Sequence, residues 1–136
     1  MKTILEALRD TEKAYRDVLK KISKENGITI AEWSLLGFLA DGFDTQDKLS
    51  KEMNLDNSTL SRQLSSLVKK ELVSSVAVGR DRRQLIYEIT TAGELVLTSV
   101  NAQHHAYENN VFKLWSDEEK SMIQILLNRL EKSLQK

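Results

Sequence analysis

The sequence predicts a mainly α domain of the α+β class, in which helices, a two-stranded hairpin and further helices follow one another. Three observations carry that prediction. Apolar residues recur every three or four positions over most of the chain, which is the period of an amphipathic α-helix. Between Leu72 and Thr90 the pattern changes to alternation among valine, serine, isoleucine and tyrosine, which is the period of a strand. The chain has no proline, so no helix interior is broken by one.

The first helix covers Ile4 to Ile22, with its apolar stripe at Ile4, Leu5, Leu8, Tyr15, Val18, Leu19 and Ile22. Asn26-Gly27 ends it, because glycine accepts the left-handed conformation at a helix C-terminus. The second helix carries Trp33, Leu35, Leu36, Phe38 and Leu39 and closes at Asp41-Gly42. Thr45 caps a short third helix that runs to about Met53 and turns Leu49 and Met53 inward. A tight connection, Asn54-Leu55-Asp56, leads to a fourth helix from Ser58 to about Glu71. Asp56 or Asn57 can accept from its first free backbone N–H groups. Its buried positions are Leu60, Leu64, Leu67 and Val68.

Two strands follow, Leu72–Val78 and Gln84–Thr90, joined by a polar tip, Gly79-Arg80-Asp81-Arg82-Arg83. Two strands alone are marginally stable, so the ribbon must lean on the helices. A long helix starts near Thr91 and runs to about Trp115. Ser116 with Glu119 forms a capping box that opens the last helix, whose apolar stripe is Met122, Ile123, Leu126, Leu127, Leu130 and Leu134.

The chain has 136 residues, a length that fits one domain. Residues 30–90 read as the compact unit. The first and last helices lie outside it with one apolar side each, and such stripes need cover. A partner subunit is the natural source. With no cysteine there is no disulfide, thiolate metal site or thiol redox sensor. No apolar stretch is long enough to span a bilayer, and the N-terminus lacks the apolar segment of a signal peptide. The expected location is the cytoplasm.

Net charge is zero, but the charge is unevenly placed. From Asn57 to Arg83, six basic residues (Arg62, Lys69, Lys70, Arg80, Arg82, Arg83) face two acidic ones, Glu71 and Asp81. A basic segment of net +4 on an acidic frame suits a protein that grips phosphate with one face. The third and fourth helices form a helix-turn-helix, and the hairpin after them makes it a winged one. The fourth helix would enter the major groove N-terminus first. Its outer face offers Asn57, Ser58, Thr59, Ser61, Arg62, Gln63, Ser66 and Lys69, with Thr45 and Gln46 at the start of the helix before it. Arg62 suits guanine and Gln63 suits adenine. Taken singly, these polar groups could merely solvate or cap a helix. Asn57, Ser58, Thr59 and Ser61 together cost helicity, and this favours use. In the wing, Arg80, Arg82 and Arg83 crowd around Asp81, and arginine on a narrow ribbon can enter an A·T-rich minor groove.

These residues resemble the MarR family of regulators. The likeness lies in Leu55-Asp56-Asn57-Ser58-Thr59-Leu60-Ser61-Arg62, in Leu67 to Val73, in Asp81-Arg82-Arg83, in Ile89-Thr90-Thr91-Ala92-Gly93 and in the segment Ile28 to Leu36. The resemblance implies a homodimer whose first and last helices, residues 1–25 and 91–136, form the dimerisation region of a single domain, 1–136. It implies a DNA-binding repressor on a pseudo-palindromic duplex, released by a small, often aromatic effector. It also implies that Asp81 sets Arg83 into the minor groove. Tyr15, Trp33, His104 and Tyr107 could line an effector pocket, although aromatics at helical spacing more often serve the core. His104 and His105 are adjacent, so on a helix they diverge by about 100° and do not suit one metal ion. No metal or cofactor is expected, and neither is enzymatic activity: no phosphate-binding glycine loop and no nucleophile beside a base is present. The alternative is a winged-helix module that binds protein rather than DNA. The arginine-rich tip argues against it.

Overall fold

The computed structural model describes residues 1–81 and 84–135. Its elements run in the order α1 (Ile4–Glu25), α2 (Ile30–Ala40), α3 (Gln46–Met53), α4 (Asn57–Lys69), β1 (Val73–Val78), β2 (Gln84–Ile89), α5 (Thr91–Val111) and α6 (Asp117–Leu134). The expected mainly α fold with a small β wing is the one observed. The chain divides into two units, Met1–Gln103 and His104–Lys136.

In the first unit, local chemistry fixes each helix end. Thr3 and Thr29 close capping boxes with Glu6 and Glu32, so that side chain and backbone exchange hydrogen bonds and satisfy otherwise free N–H groups. Thr45 caps α3, its Oγ1 accepting from the Lys48 N–H. The wing is antiparallel, with Val73 opposite Ile89 and Val78 opposite Gln84. Alternation then puts Val73 and Tyr87 on the inner face, where both are buried. The Tyr87 N–H donates to the Asp44 carbonyl at 2.8 Å, tying β2 to the segment just before α3.

The core lies between α2, α3, α4 and the wing. Leu35, Leu36, Leu49, Leu60 and Leu67 are fully buried, with Leu64 nearly so. Burying such a side chain stabilises by about 1.5–3 kcal/mol. One charged group joins this core. Glu32, only 2% exposed, accepts from the Lys70 ammonium at 2.7 Å and from the Thr29 N–H at 2.9 Å. Burial alone would raise its carboxyl pKa. The hydrogen bonds from Lys70 and Thr29, with a lowering influence of the Ser66 side chain, outweigh that and hold it below the usual carboxylate value. The ion pair clamps the start of α2 to the end of α4.

Three expectations needed correction. Val68 is not buried: one position round the helix from Leu67, it turns to solvent. The fourth helix stops at Lys69 rather than Glu71. Glu71 adopts φ 62°, while its N–H and that of Leu72 close back onto the carbonyls of Val68 and Leu67. The long helix ends at Val111, and Phe112 then packs edge-on against Trp115 with ring centroids 5.1 Å apart.

Past the wing, Gly93 lets two segments approach closely. A Cβ there would lie 2.1 Å from the Leu72 carbonyl oxygen, so the first turn of α5 packs against the start of β1 only through a glycine. Thr90 fixes that turn: its hydroxyl donates to the Glu71 carbonyl and accepts from the Gly93 N–H.

In the second unit, Ser116 and Glu119 form the expected capping box at the start of α6. No described residue of α6 is buried. Met122, Ile125 and Leu126 are each more than half exposed.

Candidate nucleic-acid interface

The helix-turn-helix is built outward from its leucines. Leu49 on α3 and Leu60, Leu64 and Leu67 on α4 hold the two helices to the core. The connection between them turns at Asn54, which takes a left-handed φ of 52°, a conformation asparagine accepts better than most residues. Asp56 then caps α4. Its Oδ1 accepts from the Thr59 N–H at 2.7 Å and from the Ser58 hydroxyl at 2.8 Å. These two donors keep the fully exposed carboxyl below its usual pKa, the Thr59 N–H first. Of the two caps open in the sequence, Asp56 takes the role and Asn57 becomes the first helical residue.

This arrangement leaves Asn57, Ser58, Ser61, Arg62 and Lys69 exposed along one side of α4, with Thr59 partly covered. Ser61, Arg62, Ser66 and Lys69 line a shallow groove on the helix surface. Short hydrogen-bonding groups at a positive helix end, with Arg62 one turn on and Lys69 at the far end of the helix, can bind phosphate oxygens and reach base edges.

Several candidate residues have structural duties. Thr45 is the α3 cap. The Gln46 amide bridges α3 to α4 by donating to the Asn57 carbonyl and to Ser61 Oγ. Ser66 is half buried, and its side chain helps lower the pKa of the Glu32 carboxyl. Gln63 departs further from the reading as an adenine contact, because its Oε1 is buried without a hydrogen-bond partner. Beside Leu64, it sits on the edge of the apolar stripe rather than on the outer face. Lys70 was counted with the basic segment, yet its ammonium is held by Glu32. The clamp itself was not legible, because its partners lie 38 residues apart.

At the wing, Gly79 takes φ 95°, which opens the turn, and Arg80 and Asp81 are exposed. Arg82 and Arg83 lie outside the described residues. Of the effector candidates, Tyr15 and Trp33 belong to the first unit and His104 and Tyr107 to the second. Trp33 is partly buried, and its Nε1–H donates to Asn101 Oδ1 at 2.9 Å, which gives it a packing and anchoring role. Among the described residues, no three His, Cys, Asp or Glu side chains gather into a metal-ligand set, and no helix is long and apolar enough to cross a membrane.

Comparison with known proteins points the same way as this geometry. A family model described as the MarR family matches residues 26–84, which span α2 through the wing. The HTH-type transcriptional regulator YxaD of Bacillus subtilis is 34% identical over 86 residues, covering 63% of this chain and 60% of YxaD. The HTH-type transcriptional repressor YetL of the same organism is 27% identical over 127 residues, covering 91% of this chain and 76% of YetL. Among solved structures, that of the S. aureus MepR–DNA complex superposes with a TM-score of 0.77 at 20% identity, covering 97% of this chain and 96% of MepR.

Proposed function

We propose that this chain is a member of the MarR family of winged helix-turn-helix regulators and acts as a homodimeric, sequence-specific repressor released from DNA by a small effector. Regulators of this family bind DNA, generally as dimers, and are often repressors; they are not enzymes. In the dimer, two copies of α4 enter successive major grooves about 34 Å apart on a pseudo-palindrome. Arg62 reads a base edge, Asn57, Ser58 and Thr59 hold phosphate, and Lys69 adds positive charge farther along the helix. The wing reaches the flanking minor groove. Residues 1–25 and 91–136 form the dimer interface around the winged core, 30–90. The protein would act in the cytoplasm, with the DNA. The effector is small and aromatic; Tyr15 and Trp33 in the first unit, and separately His104 and Tyr107 in the second, are the candidates to meet it.

The observation that carries this reading is the outer face at the start of α4, polar at Asn57, Ser58, Thr59, Ser61 and Arg62 and seated on the buried Leu60, Leu64 and Leu67. Selection of genomic fragments by the purified protein, followed by competition binding, tests it. An inverted-repeat site should emerge, and Arg62→Ala should cost about 1–3 kcal/mol with relaxed preference at one position of each half-site. Failure to bind any duplex even at low salt would favour the protein-binding alternative.

A further inference from the structure

Gln46 opens α3, and Ser61 lies one turn into α4. The Gln46 side-chain nitrogen sits 3.1 Å from the Asn57 carbonyl oxygen and 3.1 Å from Ser61 Oγ. A carbonyl oxygen can only accept, so the nitrogen end of the amide, not its oxygen, must face Asn57. Both amide hydrogens are then used inside the protein, and Gln46 Oε1 is left as a pure acceptor. Ser61 Oγ commits a lone pair to Gln46. Among the described residues its hydroxyl proton goes to no acceptor. The two side chains therefore leave, side by side, one acceptor and one donor on the exposed edge of the helix-turn-helix.

We propose that Gln46 Oε1 and the Ser61 hydroxyl act together as an acceptor–donor pair that reads one adenine in the major groove. The inference rests on the DNA-binding reading given above. Adenine offers an N6 amino donor beside an N7 acceptor, which matches both groups at once. Guanine presents O6 and N7, two acceptors, and would set O6 against Gln46 Oε1. Thymine supplies an acceptor without a donor, and cytosine a donor without an acceptor. Gln46 is thus a specificity-determining residue supplied by the helix before the recognition helix. It also fixes the Ser61 rotor before DNA arrives, which removes an ordering cost at binding.

The alternative is that Gln46 is only a strut between two helices. Atom-level substitution in the DNA separates the two. The full-length protein selects its preferred duplex, and each conserved adenine is replaced in turn by 7-deazaadenine, which lacks the N7 acceptor, or by purine, which lacks the amino group. At one adenine per half-site, 7-deazaadenine should weaken the native protein about tenfold and Ser61→Ala no further. Purine at that position should weaken the native protein but not Gln46→Met, which keeps the side-chain length and lacks the oxygen. Thermal melts of both variants verify that the exposed Ser61 and half-buried Gln46 sites tolerate the changes. If both variants weaken all sequences alike, or if 7-deazaadenine penalises Ser61→Ala as much as the native protein, the pair does not read adenine, although the DNA-binding reading survives. If no duplex is selected at all, both fail.

Discussion

The winged core and the last helix of this chain hold comparable apolar side chains and dispose of them in opposite ways. In the first, the leucines of α2, α3 and α4 close on one another and on the wing until six of them are at most 1% exposed. In the second, the stripe of α6 finds no cover: Ile125 is 66% exposed and Leu126 53%. A monomeric soluble protein rarely leaves a contiguous apolar face of that kind open. The difference teaches a division of labour. The leucine core beneath the polar face of α4 closes on itself, whereas α6 leaves an apolar surface open, which in the proposed dimer a second copy of the chain would cover.

The contrast can be broken where the first unit is densest. Leu64→Ala should lower the unfolding free energy by about 2–5 kcal/mol, read from urea denaturation. A loss under 1 kcal/mol would mean that this core is looser than its burial implies. Leu126→Glu should act on the other side of the comparison, leaving the helical content of the chain intact while weakening self-association by about 2 kcal/mol or more, read by sedimentation equilibrium. Unchanged self-association would remove α6 from the interface.

A finer cut goes through the Glu32–Lys70 clamp. Lys70→Met leaves a buried carboxylate without its cation and should cost about 1–3 kcal/mol at neutral pH. In the native protein the Glu32 carboxyl is held below 4.5, so its contribution is present above that pH and is lost as pH falls through the folded value. In the variant the lowering influence of Lys70 is gone, so the Glu32 carboxyl lies higher than in the native protein and acidification relieves the deficit at a higher pH. The stability gap between the two proteins should therefore narrow as pH falls from the variant's higher carboxyl value to the lower native one. A gap constant from pH 7 to pH 4 would deny the clamp its electrostatic role. The smallest effect belongs to Glu71, where relief of the left-handed backbone by Glu71→Gly should add about 1 kcal/mol, seen as a rise in Tm.

Much of the fold was legible because its signals are local. The threonine and serine caps, the glycine stops, the 3.6-residue stripes and the alternating wing each lie within a few residues of what they determine. The errors came where distant contacts decide. Glutamate is a good helix former, so nothing local ends α4 before Glu71; the turn back onto Leu67 and Val68 and the Thr90 hydroxyl on the Glu71 carbonyl mark that end. Lys70 looked like free charge until Glu32 was found against it. The polar face of α4 was likewise readable as a face. Which of its groups are free was not, since Gln63 turns its oxygen inward and Ser66 leans toward Glu32. Gly93 stood out in the sequence as part of a resemblance, and the Leu72 carbonyl supplies its physical reason.

Amide chemical-shift mapping by NMR, with the selected duplex titrated into the isotope-labelled full-length protein, tests the central claim most directly. The largest shifts should fall on Asn57 to Arg62 and on Gly79 to Asp81. Large shifts on α6 with an unperturbed α4 N-terminus would place the nucleic acid elsewhere and contradict the account.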